Sequence, residues 1–219
     1  MKRLVVLISG SGSNLQSIID ACEQDNTMAA EVVAVISNKA EAYGLERAAN
    51  HGIRTQSIDH KAFAERELFD AALAEAIEQY EPDLIVLAGF MRILTPAFTQ
   101  RFTGKMLNIH PSLLPKYPGL HTHKRAIDSG DETAGATIHF VTAELDGGPC
   151  VLQADVTVDE NETAESLAKK VLTKEHIIYP LVIKWFAQER LKLEGNHAYF
   201  DQQQLPSSGI QLADLPDYI

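Results

Sequence analysis

The chain has 219 residues, 45% of them hydrophobic, enough for one well-buried core and too few for two ordinary domains. Its formal net charge of −11 excludes the broad basic footprint that a nucleic-acid partner requires. The two cysteines, Cys22 and Cys150, sit in apolar stretches and exclude a disulfide framework or a cysteine-based zinc site, which fits a reducing, cytoplasmic setting. No run is apolar enough to span a bilayer, so no membrane partner is expected.

In chain order, short Val/Ile/Leu-rich runs alternate with longer amphipathic ones. Leu4 to Ser9, Val32 to Ser37, Arg54 to Ile58, Leu84 to Ala88 and Met106 to His110 have the character of buried strands. Leu15 to Glu23, Tyr43 to Asn50, Arg66 to Tyr80 and Pro96 to Phe102 have helical spacing, the third through Phe69, Leu73, Ala76, Ile77 and Tyr80. After Gly130 the rhythm changes. "GATIHFV" and "CVLQADVTV" flank "TAELDGG", which predicts two antiparallel strands and makes the sheet mixed. Thr163 to Trp185 predicts a long helix capped by Thr163 and bent or broken at Pro180. A hairpin around Gly195 and Asn196 comes next, and residues 202–219 have the composition of an irregular tail. The expected fold class is α/β, a mostly parallel mixed sheet with helices on both faces, forming a single domain over residues 1–219.

The first strand runs directly into "SGSGSN" and then a helix, which gathers free backbone N–H groups and the positive end of a helix dipole at the carboxyl edge of the sheet. The dinucleotide fingerprint needs a small residue where Leu15 stands, and the triphosphate loop needs a Gly-Lys pair that is absent. The turn therefore suits either one phosphate, held by Gly12, Ser13 and Asn14, or no ligand at all.

The stretch "LNIHPSLLPKYPGLHTH", Leu107 to His123, combines three histidines with three prolines. Asn108 and His110 are two apart at a strand end, so their side chains leave the same face where open sheets collect ligands. Pro111 keeps His110 out of helical backbone angles, and Pro115 and Pro118 stiffen the loop beyond it. Asp146, in "ELDGGP", is either a turn former or a carboxylate brought to His110, where it would steady an imidazolium. His121 and His123 do not amount to a catalytic metal set, so no metal is expected. His139 and His176 are expected to be packing or surface histidines.

With these segments together, the sequence resembles the phosphoribosylglycinamide formyltransferases, the folate-dependent enzymes of purine synthesis. The resemblance runs through "LISGSGSNLQSIIDA", "SNKAEAYGLERA", "LAGFMRILTPAF", "LNIHPSLLPKYPGLHTHKRA", "ELDGGP" and "TKEHIIYPLVIKWF". It implies a Rossmann-like formyltransferase fold, 10-formyltetrahydrofolate as donor and glycinamide ribonucleotide, which carries one phosphate, as acceptor. It also implies that Asn108, His110 and Asp146 are catalytic and that Gly12, Ser13, Asn14 and Glu175 hold the ribonucleotide. Folate contacts fall on Arg66, Met91, Arg92, Ile93 and Leu94, with Asn108. The expected partners are these small molecules, for a monomer or homodimer. A formyltetrahydrofolate hydrolase, a methionyl-tRNA formyltransferase or a silent nucleotide-binding regulator are the competing readings. The tRNA enzyme is longer, with an RNA-binding domain that an acidic chain of this length lacks. The regulator would have no need of Asn108, His110 and Asp146.

Overall fold

A computed structural model of the chain describes residues 1–216. The chain divides into two compact units, Met1–Asn108 and Ile109–Ile219, the second described here as far as residue 216.

In the first unit, β1 (Lys2–Ile8), α1 (Ser13–Gln24), β2 (Ala30–Ser37), α2 (Tyr43–Asn50), β3 (Arg54–Ser57), α3 (Arg66–Glu78), β4 (Leu84–Leu87), α4 (Pro96–Arg101) and β5 (Met106–His110) alternate as the sequence pattern predicts. The strands pair in the order β5, β4, β1, β2, β3, and every pair is parallel. Leu4–Ile8 and Leu84–Val86 are buried, as strands covered on both faces must be. Helix α1 presents Leu15, Ile18 and Ile19 to this core, and α3 presents Phe69, Leu73, Ala74 and Ile77. Thr95 caps α4 by accepting the Phe98 N–H, with Pro96 in the first turn, where its missing donor costs nothing.

Strand β5 crosses into the second unit, which continues with α5 (Thr122–Asp128), β6 (Thr133–Phe140), β7 (Cys150–Thr157), α6 (Ala164–Ala187), β8 (Leu191–Glu194), β9 (His197–Phe200), β10 (Gln203–Gln204) and β11 (Ile210–Gln211). Strands β6 and β7 are antiparallel, as the Asp-Gly loop predicts, and β11 joins β7 in parallel. Strands β8, β9 and β10 form a separate antiparallel meander. The pairings are those of a mostly parallel, mixed α/β sheet with helices around it.

Two expectations need correction, and one short helix is not anticipated. Helix α6 is not broken at Pro180 but continues to Ala187. The lost hydrogen bond is offset because Ile178, Tyr179, Val182, Ile183 and Trp185, on both sides of the proline, are buried. Helix α5 occupies a stretch to which the sequence pattern assigns no element. It is only two turns long and begins soon after Gly119, so no periodic signal announces it. The irregular tail is not irregular throughout. Residues 203–204 and 210–211 are short strands, and Gly209, at φ +73°, lies so close to Val151 that a Cβ would come within 2.7 Å of its backbone. Backbone pairing, to which side-chain patterning is blind, orders this segment. The last part of the expected tail, residues 217–219, lies outside the described residues. Among the described residues no helix is long and apolar enough to cross a membrane.

Candidate active site

The first unit holds a glycine turn and an exposed apolar segment. Gly12, at φ +70° and ψ 31°, is the N-cap of α1, a conformation that glycine adopts without strain. A glycine cap has no side chain to accept a bond, so no side-chain cap closes the start of this helix. The turn is packed as tightly as it is bent, since a Cβ on Gly12 would come 2.6 Å from Gly44 Cα. Ser13 opens the helix half-buried and Asn14 is buried behind it, so the three predicted anion-binding residues form one turn.

The segment Met91–Leu94 is pinned at both ends. The Met91 N–H donates to Ser9 Oγ at 2.8 Å, and that hydroxyl donates to Asn38 Oδ1 at 2.6 Å. The Thr95 N–H donates to the buried Asp70 Oδ2 at 2.6 Å. Between these anchors Met91 is 66% and Ile93 56% exposed, while Leu94 is buried. Two apolar side chains held in water by a fixed backbone are no core connection, and they suit a flat, largely apolar ligand. The Arg92 guanidinium lies 5.7 Å over the Phe69 ring. Arg66 is exposed at the first position of α3. Asn108, half-buried, pairs in register with Leu87 at the end of β4.

The second unit holds ionisable side chains withdrawn from water. Asp146 has φ 51° at the tip of the β6–β7 loop, and Gly148 lets the chain pass against Phe140, where a Cβ would overlap the carbonyl oxygen. The loop so formed holds Asp146 Oδ2 3.4 Å from His110 Nδ1, with their side chains only 9% and 7% exposed, so the expected pairing is present. The same oxygen accepts the Gly119 N–H at 2.8 Å. The other ring nitrogen, His110 Nε2, donates to the Tyr117 carbonyl at 2.8 Å. Two acceptors therefore face the two ring nitrogens.

The loop after His110 is fixed from beneath by Thr137, whose hydroxyl accepts the Leu114 N–H at 3.0 Å and donates to the Ser112 carbonyl at 2.7 Å. Gln153 adds a bond to the Leu114 carbonyl at 2.8 Å. The sequence does not single out these partners, because a Thr and a Gln in strands carry no signal. His139, read from sequence as a packing histidine, has its Nε2 3.8 Å from Asp146 Oδ1. Its position on the strand leading into the Asp146 loop is the clue that could have found it. Burial pushes its pKa below the ordinary imidazole value, outweighing the attraction of Asp146, while Nδ1–H donates to the Phe140 carbonyl at 2.9 Å. Burial, then the charge of His110, likewise lowers His123, half-buried in the first turn of α5. Glu175 is buried midway along α6.

Neither thiol is a candidate nucleophile. Burial, with Glu23 and Glu31 adding to it, pushes Cys22 up to about 12, and burial alone raises Cys150. No group of three or more His, Cys, Asp or Glu among the described residues could hold a metal ion.

A buried imidazole–carboxylate pair with no activated nucleophile beside it, in an α/β fold whose first strand ends in a glycine turn, is consistent with a group-transfer enzyme of the formyltransferase type. The chain belongs to the formyl transferase family, whose sequence profile matches residues 2–183. It is 56% identical over 206 residues to the phosphoribosylglycinamide formyltransferase of Escherichia coli, covering 94% of this chain and 97% of that protein. The Haemophilus influenzae enzyme of the same name is 52% identical over 95% of this chain and 98% of its own. Among solved structures, the Coxiella burnetii phosphoribosylglycinamide formyltransferase superposes with a TM-score of 0.92 at 48% identity, covering 96% and 98% of the two chains.

Proposed function

We propose that the chain transfers a formyl group from 10-formyltetrahydrofolate to the amine of 5'-phosphoribosylglycinamide in purine biosynthesis. The observation that carries this reading beyond kinship is the buried His110–Asp146 pair, 3.4 Å apart. Aligned charge in a poorly hydrated place is what a developing oxyanion needs.

The acceptor's amine attacks the formyl carbon, forming a C–N bond and a tetrahedral intermediate with negative charge on the former carbonyl oxygen. The Asn108 amide donates to that oxygen, and His110 shares its Nε2–H between it and the Tyr117 carbonyl. The bond from carbon to the folate nitrogen then breaks, and the proton lost by the amine reaches that nitrogen through a water held by Asp146. No covalent enzyme intermediate forms, and proximity supplies much of the rate. Gly12, Ser13 and Asn14 take the acceptor's phosphate and Glu175 its glycinamide. Met91, Arg92, Ile93 and Leu94 receive the pterin-like ring, with Arg66 toward the rest of the folate. We assign no metal and no nucleic-acid partner, a cytoplasmic location, and one catalytic domain working as a monomer or homodimer.

The test is to incubate the protein with 10-formyltetrahydrofolate alone and then with 5'-phosphoribosylglycinamide added. Formyl release should wait for the acceptor and appear as formylated ribonucleotide. Acceptor-independent release would make the protein a hydrolase, and none under either condition would remove the catalytic reading.

A further inference from the structure

The motif "SNKAEAYGLERA" takes no part in the mechanism above, yet it packs against the anion turn. Helix α2 meets that turn backbone to backbone. The Gly44 N–H donates to the Gly10 carbonyl at 3.0 Å, and a side chain on Gly44 would collide with Ile8, 2.4 Å from its Cβ. One turn along the helix, Arg47 Nε donates to the Ser11 carbonyl at 2.9 Å, and Nη1 reaches Gln16 Oε1 at 3.3 Å. Its guanidinium lies 4.9 Å over the Tyr43 ring.

Gln16 is itself held in place. Its Nε2 donates to Asp20 Oδ1 at 2.8 Å and lies 3.1 Å from His51 Nε2, whose Nδ1 is 2.8 Å from Glu23 Oε1. That leaves the amide oxygen turned to Arg47. An arginine fixed by an amide, a ring and a main-chain oxygen is more than a solvated helix charge.

Peptide geometry gives this arrangement a consequence. The Ser11 carbonyl and the Gly12 N–H belong to one peptide group, and in a trans peptide they point in opposite directions. A guanidinium holding the oxygen therefore aims the N–H the other way and polarises it into a stronger donor. The Gly44 bond to the Gly10 carbonyl does the same for the Ser11 N–H. We propose that Arg47 is a positioning residue for the acceptor's phosphate, acting through the Ser11–Gly12 peptide to aim and strengthen the Gly12 N–H. This rests on the reading of Gly12, Ser13 and Asn14 as the phosphate turn.

Arg47→Ala should raise KM for 5'-phosphoribosylglycinamide about tenfold, leaving kcat and the KM for 10-formyltetrahydrofolate within about twofold. Arg47→Lys, which keeps a charged donor, should recover most of the loss. Binding of ribose 5-phosphate by calorimetry, which needs no turnover, should weaken about tenfold in the alanine variant. An acceptor KM and ribose 5-phosphate affinity both within about twofold of the unaltered protein would overturn the role of Arg47 while transfer by that protein upheld its function. A fall in kcat or a rise in donor KM equal to the acceptor effect would also overturn it, as the mark of general damage to the fold. Absent transfer with ribose 5-phosphate binding still weakened by Arg47→Ala would overturn the enzyme reading and uphold Arg47. Absent transfer and absent ribose 5-phosphate binding by the unaltered protein would overturn both.

Discussion

In the function proposed above, the turn after β1 and the loop between β6 and β7 do their work by different means, the first through backbone and the second through side chains. Gly12 brings no titrating group, and its tolerance is set by a positive φ and the nearness of Gly44. Asp146 brings charge, and its effect is set by burial and by the two histidines it faces. An anion turn built this way should be insensitive to pH and intolerant of any Cβ. The side-chain cluster should tolerate shape changes better than changes of charge.

The largest test of that contrast is His110→Ala. Turnover should fall at least about 100-fold while the far-UV circular dichroism stays that of the folded protein, since Asp146 keeps its bond from Gly119. Unchanged turnover would leave the cluster without a catalytic role. Next comes Gly12→Ala, which adds a Cβ 2.6 Å from Gly44 Cα at a residue with φ +70°. We expect the acceptor KM to rise at least about tenfold and denaturant unfolding to lose about 1–3 kcal/mol. An unchanged acceptor KM would mean that the turn binds nothing the reaction needs.

Thr137→Val keeps shape and removes the hydroxyl that serves both the Leu114 N–H and the Ser112 carbonyl. Leaving these buried groups unmatched should cost about 1–3 kcal/mol in urea unfolding. A cost near zero would show that the loop after His110 is held without the Thr137 hydroxyl.

The smallest effect is a pH dependence. Burial lowers His139 and His123 below the ordinary imidazole value of 6.5, so below that pH the unfolded chain binds protons that the native chain refuses. Stability from this source is complete above pH 6.5 and declines as pH falls. His139→Gln should make the decline shallower by up to about 1.4 kcal/mol per pH unit, seen in melts at about pH 7.5 and about pH 5.5. Parallel declines in the two proteins would mean that His139 is protonated in the native state.

How much of this is legible depends on the kind of interaction. Strand β5, helix α2 and the β6–β7 pair can be read from periodicity because burial imposes a repeat on side chains. Met91 and Ile93 read by themselves as an apolar connection from strand to helix, and only the family resemblance points elsewhere, since hydrophobicity is blind to exposure. Thr137 carries no signal, and His139 none beyond its place on the strand leading into the Asp146 loop, because their roles come from pairings made beneath the Pro-rich loop and across the β6–β7 loop. Arg47 stands in a motif whose purpose shows only in the contact of its guanidinium with the Ser11 carbonyl.

The sequence by itself determined the alternation of strands and helices, the glycine turn and the presence of Asn108, His110 and Asp146, because local backbone preference and apolar spacing are written residue by residue. Tertiary structure alone decided that Asp146 faces two imidazoles, that Pro180 is carried inside an unbroken helix and that the tail adds a strand to β7. Those outcomes depend on which distant groups meet and lose water together, and no stretch of chain encodes such a meeting alone.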